Sequence, residues 1–186
     1  GGEIHVNSTL ENNQQAPTIA NLTNGGFVVT WEDYSGSNCD IRAQVFNASG
    51  AKVGGELHVN TRTDANQNNP NITGLNNGGF VITWTDESGL GLESGTIGIR
   101  GQAFSATGVA SGTEFQVNST FESGQILSNL TCLTGGQLVV TWSDYSGLDG
   151  DSDESGVRAR IFSISGTDDA PLPTLINQSL NLAYSA

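Results

Sequence analysis

Apolar residues recur along this chain in short runs and never at helical spacing. The densest run is Phe27-Val28-Val29-Thr30-Trp31, opened by Gly25-Gly26. It returns as Gly78-Gly79-Phe80-Val81-Ile82-Thr83-Trp84, and as Gly135-Gly136-Gln137-Leu138-Val139-Val140-Thr141-Trp142 with one residue inserted. β-Branched and aromatic residues at both parities predict a strand covered on both faces. Asn24 and Asn77 precede the glycines in two copies, and Asn-Gly is the dipeptide of a tight hairpin turn.

A second pattern alternates polar and apolar positions: Glu3-Ile4-His5-Val6-Asn7, Glu56-Leu57-His58-Val59-Asn60 and Glu114-Phe115-Gln116-Val117-Asn118. Its copies lie 53 and then 58 residues apart, and so do Trp31, Trp84 and Trp142. Equal shifts in two separate motifs establish a threefold repeat of stacked supersecondary units. Pro17–Leu22 reads as a further strand before the first glycine hairpin. Asp40–Phe46, Gly98–Phe104 and Gly156–Phe162 read as another after each Trp strand. Ser49-Gly50, Thr107-Gly108 and Ser165-Gly166 turn the chain out of these.

The expected fold is therefore all-β, with three four-stranded antiparallel repeats resembling propeller blades. A β-trefoil is the alternative with the same count. The repeat module spans residues 1–166, with units at about 1–53, 54–111 and 112–166. Residues 167–186 read as a linker and a C-terminal strand (Leu180, Leu182 and Tyr184 alternate with polar residues). This tail is either the start of a next module or a joining strand. Copy three lacks a match to Glu56–Asn60, whereas the chain opens on that very strand. Glu3–Asn7 is accordingly expected to be donated between chains, giving a six-bladed ring or a filament.

Charge narrows the partners. Nineteen acidic against six basic side chains give a formal charge of −13. Such a surface repels phosphate backbones and anionic lipid, which excludes nucleic acid and membrane insertion as expected partners. The chain does not open on Met and contains no apolar run long enough to span a bilayer, so it reads as a processed or excised part of something longer. Asn-x-Ser/Thr sequons at Asn7, Asn21, Asn47, Asn71, Asn118, Asn129 and Asn177 point to a secreted glycoprotein. Cys39 and Cys132 fall in loops expected at opposite strand ends. An intrachain disulfide is strained there, and oxidation would sooner link two chains.

Candidate chemistry follows the repeat. Asp33, Asp86 and Asp144 lie two residues past each Trp, and Arg42, Arg100 and Arg158 recur on the next strand. Pairing across the hairpin would hold the base of the loop. The loop after Trp142 carries Asp149, Asp151, Asp153 and Ser155, the opening of a calcium loop without its closing Glu. Calcium is the one cofactor expected. His5 and His58 are repeat equivalents, and no base–nucleophile set, metal cluster or phosphate loop is evident, so no enzyme activity is expected. Trp31, Trp84 and Trp142 are expected in the core, which leaves Tyr34 and Tyr145 as the aromatic groups open to a sugar.

The stretch from Gly25 to Trp31 together with "IRAQVFNASGAKVGGELHVNT" resembles repeats of very large secreted, calcium-associated adhesin-like surface proteins. The likeness covers about 165 of the 186 residues, and the tail "DDAPLPTLINQSLNLAYSA" resembles the start of a cadherin-like module. The resemblance implies an extracellular, non-enzymatic structural or adhesion module. The alternative function is a carbohydrate-binding lectin of propeller or trefoil type, with glycans as its partners.

Overall fold

A computed structural model of the chain describes residues 2–89, 97–147, 155–165 and 174–177. No described residue is helical. Among the described residues twelve strands form three antiparallel four-stranded sheets, each in sequential order. The first holds β1 (Gln14–Asn21), β2 (Phe27–Asp33), β3 (Asp40–Phe46) and β4 (Lys52–His58). The second holds β5 (Gln67–Gly74), β6 (Phe80–Asp86), β7 (Gly98–Phe104) and β8 (Ala110–Gln116). The third holds β9 (Gln125–Cys132), β10 (Gln137–Asp144), β11 (Gly156–Ser165) and β12 (Thr174–Asn177). Each repeat is a separate sheet stacked on its neighbour, which is the propeller arrangement and not the trefoil.

The turns explain the local order. Leu22 N–H donates to Gly26 O at 2.8 Å, and Gly25 takes φ 82°. A Cβ on Gly26 would stand 2.3 Å from Phe46 O, so the second glycine is required by the backbone of β3. The pair thus serves two separate needs, left-handed φ and close approach. At the other side of the sheet Asn47 N–H donates to Ala51 O, closing the β3–β4 hairpin around Gly50.

That second hairpin corrects the expected phase of the repeat. Glu56–Asn60 and Glu114–Asn118 do not open a unit. They finish the fourth strand of the preceding sheet, with Arg42 opposite His58 and Arg100 opposite Gln116. Glu3–Asn7, expected as a strand, has no strand pairing. The fourth strand of the third sheet is β12, which pairs with Phe162–Ser165. The strand expected around Leu180, Leu182 and Tyr184 lies outside the described residues.

Two cores lie between the sheets. Val28, Ile41, Ala43, Val45 and Val59 of the first repeat pack on Ile72, Phe80, Ile82 and Trp84 of the second. Val81, Ile99, Ala103 and Val117 pack in the same way on Leu130, Leu138, Val140 and Trp142 of the third. The second sheet therefore packs on both faces, as the two-parity pattern requires. The first sheet's other face, Val29, Trp31 and Phe46, is covered by Phe27 and Val6.

Candidate functional site

The innermost strands meet: β1 touches β5, and β5 touches β9. Each carries a bulge at one repeat position. Ala16, Asn69 and Leu127 adopt φ of 51°, 53° and 56° there, beside register shifts against β2, β6 and β10. None is glycine, and left-handed φ costs Ala or Leu about 1–2 kcal/mol. Two bulge amides are captured by the preceding sheet. Asn69 N–H donates to Glu32 Oε1 at 2.8 Å, and Leu127 N–H to Thr85 Oγ1 at 3.3 Å. Strain repeated three times at one place marks a feature held by its surroundings.

The bulges open a cleft of about 380 Å³ along the line where the three inner strands converge. It is lined by Ala16-Pro17-Thr18, Asn69-Pro70-Asn71 and Leu127-Ser128-Asn129. All nine side chains are neutral in a chain of charge −13. Amides and hydroxyls stand beside the apolar surfaces of Pro17 and Leu127. The arrangement can hydrogen-bond and pack against a neutral ligand. Little in the sequence pointed to this cleft: Ala16, Asn69 and Leu127 share no chemistry, and the recurrence beside them is partial, with Pro17 and Pro70 standing where the third copy has Ser128.

At the end of the sheets bearing the inter-sheet connections, a second set of residues recurs. Arg42 Nε meets Asp33 at 3.1 Å and Arg100 Nε meets Asp86 at 2.9 Å. Arg158 meets Asp144 in the same manner. Gln14, Gln67 and Gln125 donate to the other oxygen of these carboxylates at 3.1, 3.0 and 3.0 Å. Asn7 and Asn118 in turn donate to Gln14 and Gln125. In the middle sheet Trp84 Nε1 takes that place, donating to Gln67 Oε1 at 2.8 Å. Burial works against the charge of Asp33 and Asp144. Hydrogen bonds from serine, glutamine and arginine outweigh it, so both carboxyls stay below their usual range. The expected Asp–Arg pairs thus belong to a longer Asn–Gln–Asp–Arg staple, and the glutamines were missed.

The three tryptophans are buried, as expected, and none of them lines the cleft between the inner strands. Tyr145 is exposed and Tyr34 half-buried, both beside the staple and not lining the axial cleft. Asp149, Asp151 and Asp153 lie outside the described residues; Ser155 is described, and no group of three potential metal ligands occurs among described residues. Of the sequons, Asn21, Asn47 and Asn129 are exposed, and Asn7 and Asn71 are half-buried. Asn118 is buried, with its amide donating to Thr120 O and Gln125, which leaves no space for a glycan. The side chain of Asn177 lies outside the described set. Cys39 and Cys132 are free thiols. Burial pushes Cys39 up to about 12, so neither its reach nor its acidity suits a bridge to another chain.

No protein-family model matches the chain, and no curated protein sequence does. Solved structures do share its architecture. A protein of unknown function from Dyadobacter fermentans is 8% identical at a TM-score of 0.53, over 87% of this chain and 53% of that one. The endo-arabinase of Bacteroides thetaiotaomicron is 11% identical at a TM-score of 0.50, over 81% of this chain and 56% of its own. A thermostable family-43 glycoside hydrolase is 11% identical at 0.49, over 89% and 59%. The chain thus spans little more than half the length of these proteins. The likeness is one of fold. It corrects one expectation all the same: the inference of no enzyme activity leaned on polar groups recurring once per blade. An endo-arabinase has the same architecture, so the architecture gives no ground for that exclusion.

Proposed function

We propose that this module binds neutral glycans in the axial cleft, as part of an extracellular surface protein. The observation that carries the reading is the composition of the cleft. Three repeat-equivalent segments place nine uncharged side chains around about 380 Å³ in a strongly acidic chain. None of the lining side chains offers a charge to a ligand. A sugar presents hydroxyls that suit Asn69, Asn71, Asn129 and Thr18, and C–H faces that suit Pro17 and Leu127. The propeller likeness to an endo-arabinase agrees with a carbohydrate partner. The repeat's resemblance to adhesin-like surface proteins and the exposed sequons at Asn21 and Asn47, away from the cleft, support the setting.

A panel of neutral oligosaccharides titrated into the chain tests the reading by calorimetry. Micromolar binding is expected, weakened about tenfold by Asn69→Ala for one lost hydrogen bond, and further in the Asn69→Ala/Asn129→Ala pair. No binding across the panel, or binding indifferent to both substitutions, would remove the cleft from this role.

A further inference from the structure

The two ends of the stack are the two halves of an interface that the chain already makes twice. Within the chain, the face of one sheet bearing Ile41 or Ile99 packs on the Trp84 or Trp142 face of the next. The third sheet presents the first kind of face with no sheet beyond it among the described residues. Val157, the counterpart of the fully buried Ile41 and Ile99, is 83% exposed. Leu133, the counterpart of buried Leu22 and Leu75, is 39% exposed. The first sheet presents the second kind of face, and beside Trp31 lies an open cleft of about 240 Å³ lined by Val6, Pro17 and Val29.

The strand edges tell the same story. In the first sheet the outer strand places Leu57 opposite Ala43 and His58 opposite Arg42. The next residue, Val59, donates its amide to Ile41 O, and Asn60 Oδ1 accepts the Ile41 amide at 2.7 Å. The second sheet repeats this through Phe115, Gln116, Val117 and Asn118. In the third sheet the register of β12 begins only at Phe162. Val157 and Ala159 therefore meet no outer strand among the described residues. The sequence that fills this place elsewhere is Glu3–Asn7, which in the single chain lies unpaired with Val6 against Trp31. Val6 already stands where Val59 and Val117 stand in the two internal interfaces, packed on the tryptophan of the following sheet.

We propose that two copies of this chain close a six-sheet ring head to tail, with Glu3–Asn7 of each completing the outer edge of the other's third sheet. The register is set by the repeat: Ile4 opposite Ala159, His5 opposite Arg158, and the Val157 amide on Asn7 Oδ1. The partner is a second copy because a three-sheet ring falls below the four to eight blades of closed propellers, and six falls within it. Ring closure is preferred to a filament because the tail strand β12 is already used within its own sheet. This inference is independent of the glycan reading.

Sedimentation of the chain at micromolar concentration is expected to give twice the 19.4 kDa of one copy. Val157→Arg places a charge on a position open to solvent in the single chain, so it should leave the fold intact. It should raise the dimer dissociation constant by at least about a hundredfold. Ile4→Cys/Ala159→Cys, in a Cys132→Ser background, should give a covalent dimer on oxidation, because opposed residues lie within disulfide reach. A single-chain mass for the unaltered protein, a mass beyond two copies, a dimer that survives Val157→Arg, or no cross-link in the paired-cysteine variant would each overturn the proposal.

Discussion

Ile41, Ile99 and Val157 occupy one position of the repeat. The first two are fully buried and the third is 83% exposed. Their residue types are nearly the same and their strands have the same place in each sheet. The difference is the neighbour: two of the sheets have another sheet beyond this face, and the third has none among the described residues. Burial in a stacked repeat is thus a property of the interface and not of the strand, as nearest-neighbour stability implies. The same kind of residue that makes a core in the middle stands in solvent at the end.

The largest test of that contrast is the middle tryptophan. Trp84 is enclosed by two repeats and donates to Gln67, so Trp84→Ala should cost about 3–5 kcal/mol. Trp31 lies beside the open cleft and its Nε1 has no hydrogen-bond partner; Trp31→Ala should cost less, which denaturant melts of the two variants would rank. Next comes Ile99→Ala, expected to cost about 2–5 kcal/mol. Val157→Ala, measured on a dilute single chain, should stay within about 0.5 kcal/mol. Equal losses at the two sites would erase the distinction between internal and terminal faces.

The smallest effect concerns pH. Asp33 and Asp144 have carboxyls held below their ordinary range in the folded chain. A depressed folded pKa stabilises the fold above the unfolded value of about 3.9 and loses that contribution as pH falls through the folded value. The melting temperature should therefore fall below about pH 4. Asp33→Asn should flatten that part of the profile, and an unchanged acid limb would show that the staple carries no linked proton.

Much of this was legible in the residues. Phe27–Trp31 and its copies announced buried central strands, and the 53- and 58-residue shifts announced three stacked sheets. The phase was not legible, because Glu56-Leu57-His58-Val59-Asn60 alternates equally well as a first or a fourth strand. The short Asn47–Ala51 turn decides it by local hairpin closure. The inner-strand bulges escaped notice because Ala16, Asn69 and Leu127 share a backbone conformation and no chemistry. Gln14, Gln67 and Gln125 recur at the repeat spacing, and asking which polar residues share that spacing would have found the staple. The exclusion of catalysis failed for another reason: it treated repetition as evidence about chemistry, which the architecture of an endo-arabinase does not support.

The most direct test of the central claim, that each sheet is completed by its neighbour, is hydrogen exchange at three amides. Ile41 and Ile99 donate to Asn60 Oδ1 and Asn118 Oδ1 inside closed interfaces, so both should exchange in the slowest class at any concentration. The Val157 amide should exchange fast in the dilute single chain and slow as concentration rises. Protection of Val157 equal to that of Ile99 in the dilute chain would show its face closed without a neighbour, and would contradict the account.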